Sequence, residues 1–502
     1  MNMQILFCAS EVSPFAKTGG LADVTGSLPA SLQKLGCDVR IFMPLYRSVR
    51  NGAGPVLEPL VQDLVVPVGL HDYHVHIWES RTETDIPIYF LEKDEFYDRS
   101  YLYGSPVRGD YEDNAERFIA FSRATRQLCS ALGWYPSIFH LHDWQTGLIA
   151  PYFQLNWRYN PKLARSGTVL TIHNIAYQGL FPAGVFSLTQ LPASVFSLEG
   201  MEFWGQCGFL KAGLVYSDFL TTVSPRYSRE IQTPEFSFGL EGLLGERKES
   251  LAGILNGIDT REWDPQTDRL LPANFSADDL SGKKKCKEVL CDRLGFPREN
   301  RDHPLLAMIG RLATQKGYDL VEQVLPDLME LPVNLVILGT GDAAIEATLK
   351  EMEHAFPGRM KLFLEFDESL AHLIEAGADI FLMPSRYEPC GLNQMYSLRY
   401  GTIPVVHATG GLDDSVSDVM KEPASGTGFK FYDYEPEAFF EAVKSALDMF
   451  GQGPVWMDIQ KRAMSQDFSW DRSAREYIKI YEKTLARKKR DLMKRPDLGA
   501  VR

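Results

Sequence analysis

The stretch Lys17-Thr18-Gly19-Gly20-Leu21 sets an ammonium group beside two glycines, directly after an apolar run at 4–9. Backbone without a Cβ lets N–H groups approach an anion closely, and the lysine adds positive charge. The lysine precedes the glycines, so this is not a P-loop. Glu388-Pro389-Cys390-Gly391-Leu392 repeats the plan late in the chain: a charged side chain, a turn fixed by Pro and Gly, then a helical pattern at 391–400. Between them, Gly310-Arg311-Leu312-Ala313-Thr314-Gln315-Lys316-Gly317 follows an apolar run and carries two cations suited to phosphate, Arg as a fork and Lys as a point charge. Thr409-Gly410-Gly411-Leu412 and Gly339-Thr340-Gly341 are two further glycine turns placed after apolar runs. Charged residues and flexible backbone at the carboxyl ends of strands are where open α/β sheets bind ligands.

Two runs add hydrogen-bonding groups. His140-Leu141-His142-Asp143-Trp144 ends a strand-like segment, with His140 and His142 on one side of it. A metal reading of that pair lacks a third ligand. Thr171-Ile172-His173-Asn174 ends another strand, where a histidine is as readily a packed polar residue. Cys390 has no neighbouring histidine in sequence to act as a base, so it reads as a packing residue. The chain contains no Asp-x-Asp pair to hold a metal.

These groups need a scaffold. Residues 4–9 read as a buried strand; Leu21, Val24, Leu28, Leu32 and Leu35 recur on one helix face; Gly36 ends it, and 38–43 is the next strand. That is a βαβ unit and implies a parallel sheet. Further strands are expected at 138–141, 168–172 and 219–223. Phe118, Phe121, Leu128 and Leu132 mark a long amphipathic helix that stops at Gly133. The second half repeats the pattern, with strands expected at 305–309, 335–338, 361–364, 380–383 and 403–406. The seam falls at 254–264, where Asn256-Gly257 signals a turn. Residues 265–300 are polar and lysine-rich and read as surface, with 283–287 a solvated helix start. From 471 onward the pattern is one long helix with Tyr477, Ile480, Tyr481 and Leu485 on a face, and the basic stretch 487–490 reads as solvated.

Composition sets the outer limits. A chain of 502 residues is too long for one core. A net charge of −14 argues against a general nucleic-acid or anionic-membrane binder, so an anionic ligand needs a local cationic pocket. Seven cysteines with no Cys-x-x-Cys fit a reducing compartment. No basic region precedes the first apolar run, and no apolar stretch nears the roughly 20 residues that span a bilayer, so the expected location is cytoplasmic.

Taken in order, Lys-Thr-Gly-Gly-Leu, His-Asp-Trp, His-Asn, the Arg311/Lys316 pair, Glu-Pro-Cys-Gly-Leu and Thr-Gly-Gly-Leu resemble the bacterial and plant glycogen and starch synthases over nearly the whole chain. The resemblance implies an α/β protein of two Rossmann-like, doubly wound parallel-sheet domains facing a cleft, the GT-B architecture. It implies an N-terminal domain at 1–253, a nucleotide-side domain at 254–467 and a C-terminal helix at 468–502 that crosses back to the first. It implies glucose transfer from ADP-glucose to the non-reducing end of an α-1,4-glucan (glycogen or a maltooligosaccharide primer), with retention, without a metal and without pyridoxal phosphate. In the family the catalytic set falls on Glu388, Arg311, Lys316, Asp143 and His173. Substrate contacts fall on Lys17, Gly19, Gly20, Asp23, Asn114, His142, Asn174, Gly339, Thr340, Cys390, Gly391, Leu392, Thr409, Gly410 and Gly411, with Arg117 beside Asn114 on the cleft side. Phe366 takes the place of an aromatic that stacks on adenine, though as a residue it reads equally as core. Many related transferases carry a second Glu eight positions after the first; here that residue is Tyr396.

Three other readings stay open at this level. A glucan phosphorylase needs a Schiff-base lysine and a much longer chain. A sucrose- or trehalose-type synthase takes a small acceptor. A non-catalytic glucan-binding protein has no need of the cationic pair.

Overall fold

The computed structural model describes residues 3–51, 56–105 and 109–494. Residues 1–2 and 495–502, the outer ends of the expected first and last segments, lie outside the described residues. The chain forms two compact units: Met1–Val223 with Ser228–Gly257 and Trp470–Arg502, and Ser224–Tyr227 with Ile258–Ser469.

In the first unit β1 (Gln4–Cys8), α1 (Gly20–Lys34) and β2 (Asp38–Pro44) make the βαβ step, with Leu21, Val24, Leu28 and Leu32 buried. Gly36 turns the chain at φ 89°, a conformation that favours glycine. Then come β3 (Glu58–Val68), β4 (His71–Arg81), β5 (Pro87–Glu92), α2 (Asn114–Leu132), β6 (Ile138–His142), β7 (Gly167–Ile172), β8 (Phe219–Thr222) and β9 (Leu251–Gly253). The nine strands lie in the order β9-β8-β7-β6-β1-β2-β5-β4-β3. The sheet is parallel except where β4 runs against β5 and β3. This edge hairpin was not read from the sequence. Its outer strands are half-exposed and carry a β-bulge, so the apolar run that betrays a central strand is missing.

In the second unit α3 (Ser281–Leu294) precedes β10 (Leu305–Ile309), α4 (Tyr318–Leu328), β11 (Asn334–Leu338), β12 (Met360–Phe363), α5 (Glu368–Gly377), β13 (Ile380–Met383), α6 (Asn393–Arg399), β14 (Ile403–His407), α7 (Gly410–Ser415) and β15 (Phe429–Phe431). Its six strands are all parallel, in the order β12-β11-β10-β13-β14-β15. β10, β11, β13 and β14 are almost wholly buried, as parallel strands covered on both faces must be.

Each sheet therefore has one point where the strand order reverses: between β1 and β6 in the first, and between β10 and β13 in the second. Connections leave these neighbouring strands on opposite faces, which opens a crevice at their carboxyl ends.

Three surface expectations are corrected. Lys283 is not solvated. It shares the inner face of α3 with Cys286 and Leu290, three and four residues apart. Its ammonium group donates to the Ala376 carbonyl at 3.0 Å and the Thr402 hydroxyl at 2.6 Å, and burial pulls its pKa down to about 8. Lys287 is paired with Asp379 at 2.7 Å. The 265–300 segment also buries Asp268 and Phe275. In the basic stretch near the C-terminus, Lys488 is buried and paired with Asp218 at 2.8 Å. The C-terminal helix (Trp470–Lys494) is a working part of the first unit: Asp471 accepts from Ser31 of α1 at 2.7 Å, and Tyr477 and Tyr481 are fully buried.

Candidate active site

The motif turns gather at the two switch points. β1 leads into the Lys17 turn and β6 into Asp143. β10 leads into Arg311 and Lys316, and β13 into Glu388.

In the first unit the glycine turn is pinned by Glu11, a buried residue the sequence reading passed over. Its carboxylate accepts from the Thr18 backbone N–H at 2.5 Å, the Thr18 hydroxyl at 2.7 Å and the Tyr103 hydroxyl at 2.7 Å. A glutamate seven residues before a threonine carries no recognisable motif; only the folded turn brings them together. Lys17 is half-exposed and pairs with Asp23 at 2.6 Å. Burial pushes the Asp23 carboxyl up, against the opposing pull of Lys17. Gly19 caps α1 with no side-chain bond, which leaves the first N–H groups of that helix able to meet an anion. Asn114 is buried: its amide donates to the Tyr103 carbonyl at 2.7 Å and accepts from Arg117 at 2.5 Å. It thus braces the segment that holds Glu11.

Parallel pairing sets His142 opposite Thr171, so His142 and the residue just past β7, His173, lie side by side. Nδ1 of His142 is 3.0 Å from Nε2 of His173. Burial pulls His173 down to about 3 and His142 well below the usual imidazole range, so both rings are neutral at pH 7. His140 is committed elsewhere, to the Thr171 hydroxyl at 2.7 Å and the Tyr481 hydroxyl at 2.8 Å, so protein groups hold both its nitrogens. Asp143 sits at φ 54°, an unusual conformation for a residue with a Cβ. Such strain gathers where a side chain must be aimed. Its carboxylate accepts from the His173 backbone N–H at 2.7 Å, and burial pushes it up to about 8. Asn174, next along, is only partly covered.

In the second unit Lys316 Nζ lies 2.6 Å from Glu388 Oε2, and Ser385 donates to the same oxygen at 3.1 Å. Two more bonds zip these loops together: the Arg386 N–H to the Gln315 carbonyl at 2.9 Å, and Gln315 Nε2 to the Tyr387 carbonyl at 3.1 Å. Arg311 is exposed, and its neighbour Leu312 donates to the Thr340 carbonyl at 2.9 Å, which sets the Gly339-Thr340 turn alongside. The Thr409-Gly410-Gly411 turn packs on the Glu388 backbone. A Cβ on Gly410 would lie 1.9 Å from the Glu388 carbonyl oxygen, and one on Gly411 2.1 Å from that of Cys390. No side chain fits there. Cys390 is buried, Gly391 turns at φ 71°, and Leu392 opens α6.

Phe366 is 90% exposed, which ends its reading as core. It borders an open hollow of about 580 Å³ with Leu270 and Glu365. Tyr396, at the position of the second Glu, stacks on Trp263 at 3.8 Å and 12°; here that place serves packing.

Two family models match. Residues 4–246 fit the starch synthase catalytic domain and residues 295–451 fit glycosyl transferases group 1. A glycogen synthase of Anaeromyxobacter sp. (strain Fw109-5) is 50% identical over 485 residues, covering 96% of this chain and 100% of the relative. One from Koribacter versatilis is 45% identical over 481 residues, covering 96% and 98%. Among solved structures, the catalytic domain of starch synthase IV from Arabidopsis thaliana, bound to ADP and acarbose, superposes with a TM-score of 0.90 at 33% identity, covering 97% of this chain and 100% of that one. Sucrose-phosphate synthase from Thermosynechococcus elongatus, at 16% identity and a TM-score of 0.59 over 96% and 99%, shares the fold alone. With near-complete coverage on both sides and both switch-point motif sets in place, the chain belongs to the glycogen and starch synthase family, hexosyltransferases of GT-B fold.

Proposed function

We propose that this chain transfers glucose from ADP-glucose to the non-reducing 4-OH of an α-1,4-glucan, glycogen or a maltooligosaccharide primer, with retention and with no metal or pyridoxal cofactor in the transfer step. The observation that carries this reading is the Lys316–Glu388 pair at the second sheet's switch point, 2.6 Å apart and beside Arg311 in the same turn. A nucleotide sugar needs cations for its diphosphate and hydrogen-bonding groups for its glucose. Arg311 and Lys316 supply the first; Asp143, His173, Asn174 and Lys17 supply the second. Gly339, Thr340 and Phe366 take the nucleoside side.

The C1–O bond to the diphosphate breaks as the acceptor 4-oxygen bonds to C1 on the same face. The acceptor proton passes to the departing phosphate oxygen. Negative charge growing on that leaving group is met by Arg311 and Lys316, each worth about 2–4 kcal/mol at the transition state. Glu388, largely buried, holds Lys316 in position until the diphosphate competes for it. Neutral His173 donates to or accepts from a sugar hydroxyl, and Asp143 accepts from another. The reaction belongs in the cytoplasm, where seven cysteines that form no disulfide stay reduced; no described helix is long and apolar enough to cross a membrane.

Chain extension of glycogen, with ADP-glucose and UDP-glucose compared in the presence of EDTA, tests this directly. Preferential incorporation from ADP-glucose is the expected result. No incorporation from either donor would overturn the reading, and free sugars would then be screened as acceptors.

A further inference from the structure

Outside the motif turns, the second unit holds a compact set of metal-ligating groups. One carboxylate oxygen each of Glu262 and Glu368 and one ring nitrogen of His372 all lie within 4.8 Å of one another. Glu368 and His372 stand four apart on α5, so their side chains share a helix face. Glu262 comes from the segment just after the unit boundary at Gly257.

The histidine is prepared as a ligand. Its Nδ1 is 2.7 Å from the buried Asp268 carboxylate, which also accepts from the Tyr400 hydroxyl at 2.7 Å. The carboxylate accepts from Nδ1–H, so Nε2 is the ring nitrogen left to face a ligand. Nε2 is buried and has no hydrogen-bond partner among the described residues. His372 as a whole is only 1% exposed. Trp263 stacks flat on the ring at 3.8 Å and 17°, which fixes its plane. A carboxylate behind a metal-bound imidazole is the common arrangement for orienting it and raising its basicity. The two glutamate carboxylates face each other with no lysine or arginine in ion-pair range among the described residues. Two carboxylates and an oriented imidazole are a donor set that a small cation satisfies.

The geometry points to a divalent cation site formed by Glu262, Glu368 and His372, with Asp268 positioning the imidazole. One nitrogen and two oxygens suit Zn²⁺ or Mn²⁺ better than Mg²⁺, which takes oxygen ligands and keeps its waters. The ion ties the segment carrying Glu262 to the first turn of α5, two residues from Phe366. It acts on stability and on the order of that loop, not on the transferred group, and it stands apart from the proposed transfer reaction.

The test uses the full chain stripped with EDTA and titrated with ZnSO₄, with MgCl₂ as control, read by calorimetry and by melting temperature. Glu262 and Glu368 are both exposed, so the E262Q/E368Q variant retains the fold, which circular dichroism checks. The wild type binds one more Zn²⁺ than the variant and melts higher with it. The variant loses affinity by at least about tenfold. A wild type with no Zn²⁺-dependent rise in melting temperature overturns the site. So do equal Zn²⁺ affinities in wild type and variant, or Mg²⁺ binding as tight as Zn²⁺.

Discussion

Lys316 and Glu388 are 72 residues apart in sequence and 2.6 Å apart in the fold. They meet because β10 and β13, which carry them, are neighbours across the reversal of strand order. The carboxylate is almost fully covered and the ammonium about a quarter exposed, so the cation is held in place rather than free to swing in solvent. On the proposed mechanism, replacing Lys316 with Ala removes a transition-state donor, and in the fold it leaves a buried carboxylate without its partner. Expected are a 10²–10³-fold fall in kcat and about 1–3 kcal/mol of lost stability. Initial rates at saturating donor, with a urea melt beside them, check both. A kcat within a factor of three of wild type would remove Lys316 from the reaction.

The contact between the Thr409-Gly410-Gly411 turn and the Glu388 backbone gives a second prediction. Gly410→Ala puts a methyl group 1.9 Å from a carbonyl oxygen at a position with φ 46°. The Glu388 turn must then shift. A stability loss on the order of 2–3 kcal/mol is expected, with activity falling further than stability because the Lys316–Glu388 geometry shifts too. Normal activity in a folded Gly410→Ala protein would show that the turn does not set that geometry.

The buried imidazoles predict acid sensitivity. His140, His142 and His173 are held neutral by burial, His173 down to about 3, against about 6.5 in an unfolded chain. As pH falls through 6.5 the unfolded state takes up protons that the folded state refuses, so the histidine contribution to stability declines from pH 6.5 towards 3 and is flat above 7. Each such proton contributes a slope of about 1.4 kcal/mol per pH unit. Denaturant melts from pH 7 to 4 measure it. His173→Gln is expected to reduce the slope by one proton; an unchanged slope would mean that this imidazole titrates normally.

Asp143 has the opposite sign. Its folded pKa of about 8 lies above the unfolded value near 3.9, so the folded state binds the proton more tightly. The penalty grows as pH rises from 4 to 8 and is constant beyond. Asp143→Asn keeps an oxygen to accept from the His173 N–H but loses the charge. It is expected to gain melting temperature relative to wild type on going from pH 5 to pH 8, while transfer drops by about 10² or more. A relative loss of stability at pH 8 would show that the carboxylate is charged and favourably solvated in the fold.

The sequence by itself determined the class and the chemistry. Apolar runs followed by helical periodicity marked β1, β2, β6, β7, β10, β11, β13 and β14, because strands buried on both faces leave little polar alternation to confuse the reading. Glycine next to charge at their ends marked the turns. What it did not reveal is what depends on partners distant in the chain. The β3–β4 hairpin was hidden by half-exposure. Lys283 and Lys488 read as solvated because the carbonyls and the Asp218 carboxylate that accept their ammonium groups come from other segments. Glu11, which holds the Lys17 turn, and Asp268, which fixes the His372 tautomer, have no local signature at all. Burial of an ionic group is a property of the surrounding shell, and only the tertiary structure decides which distant groups form that shell.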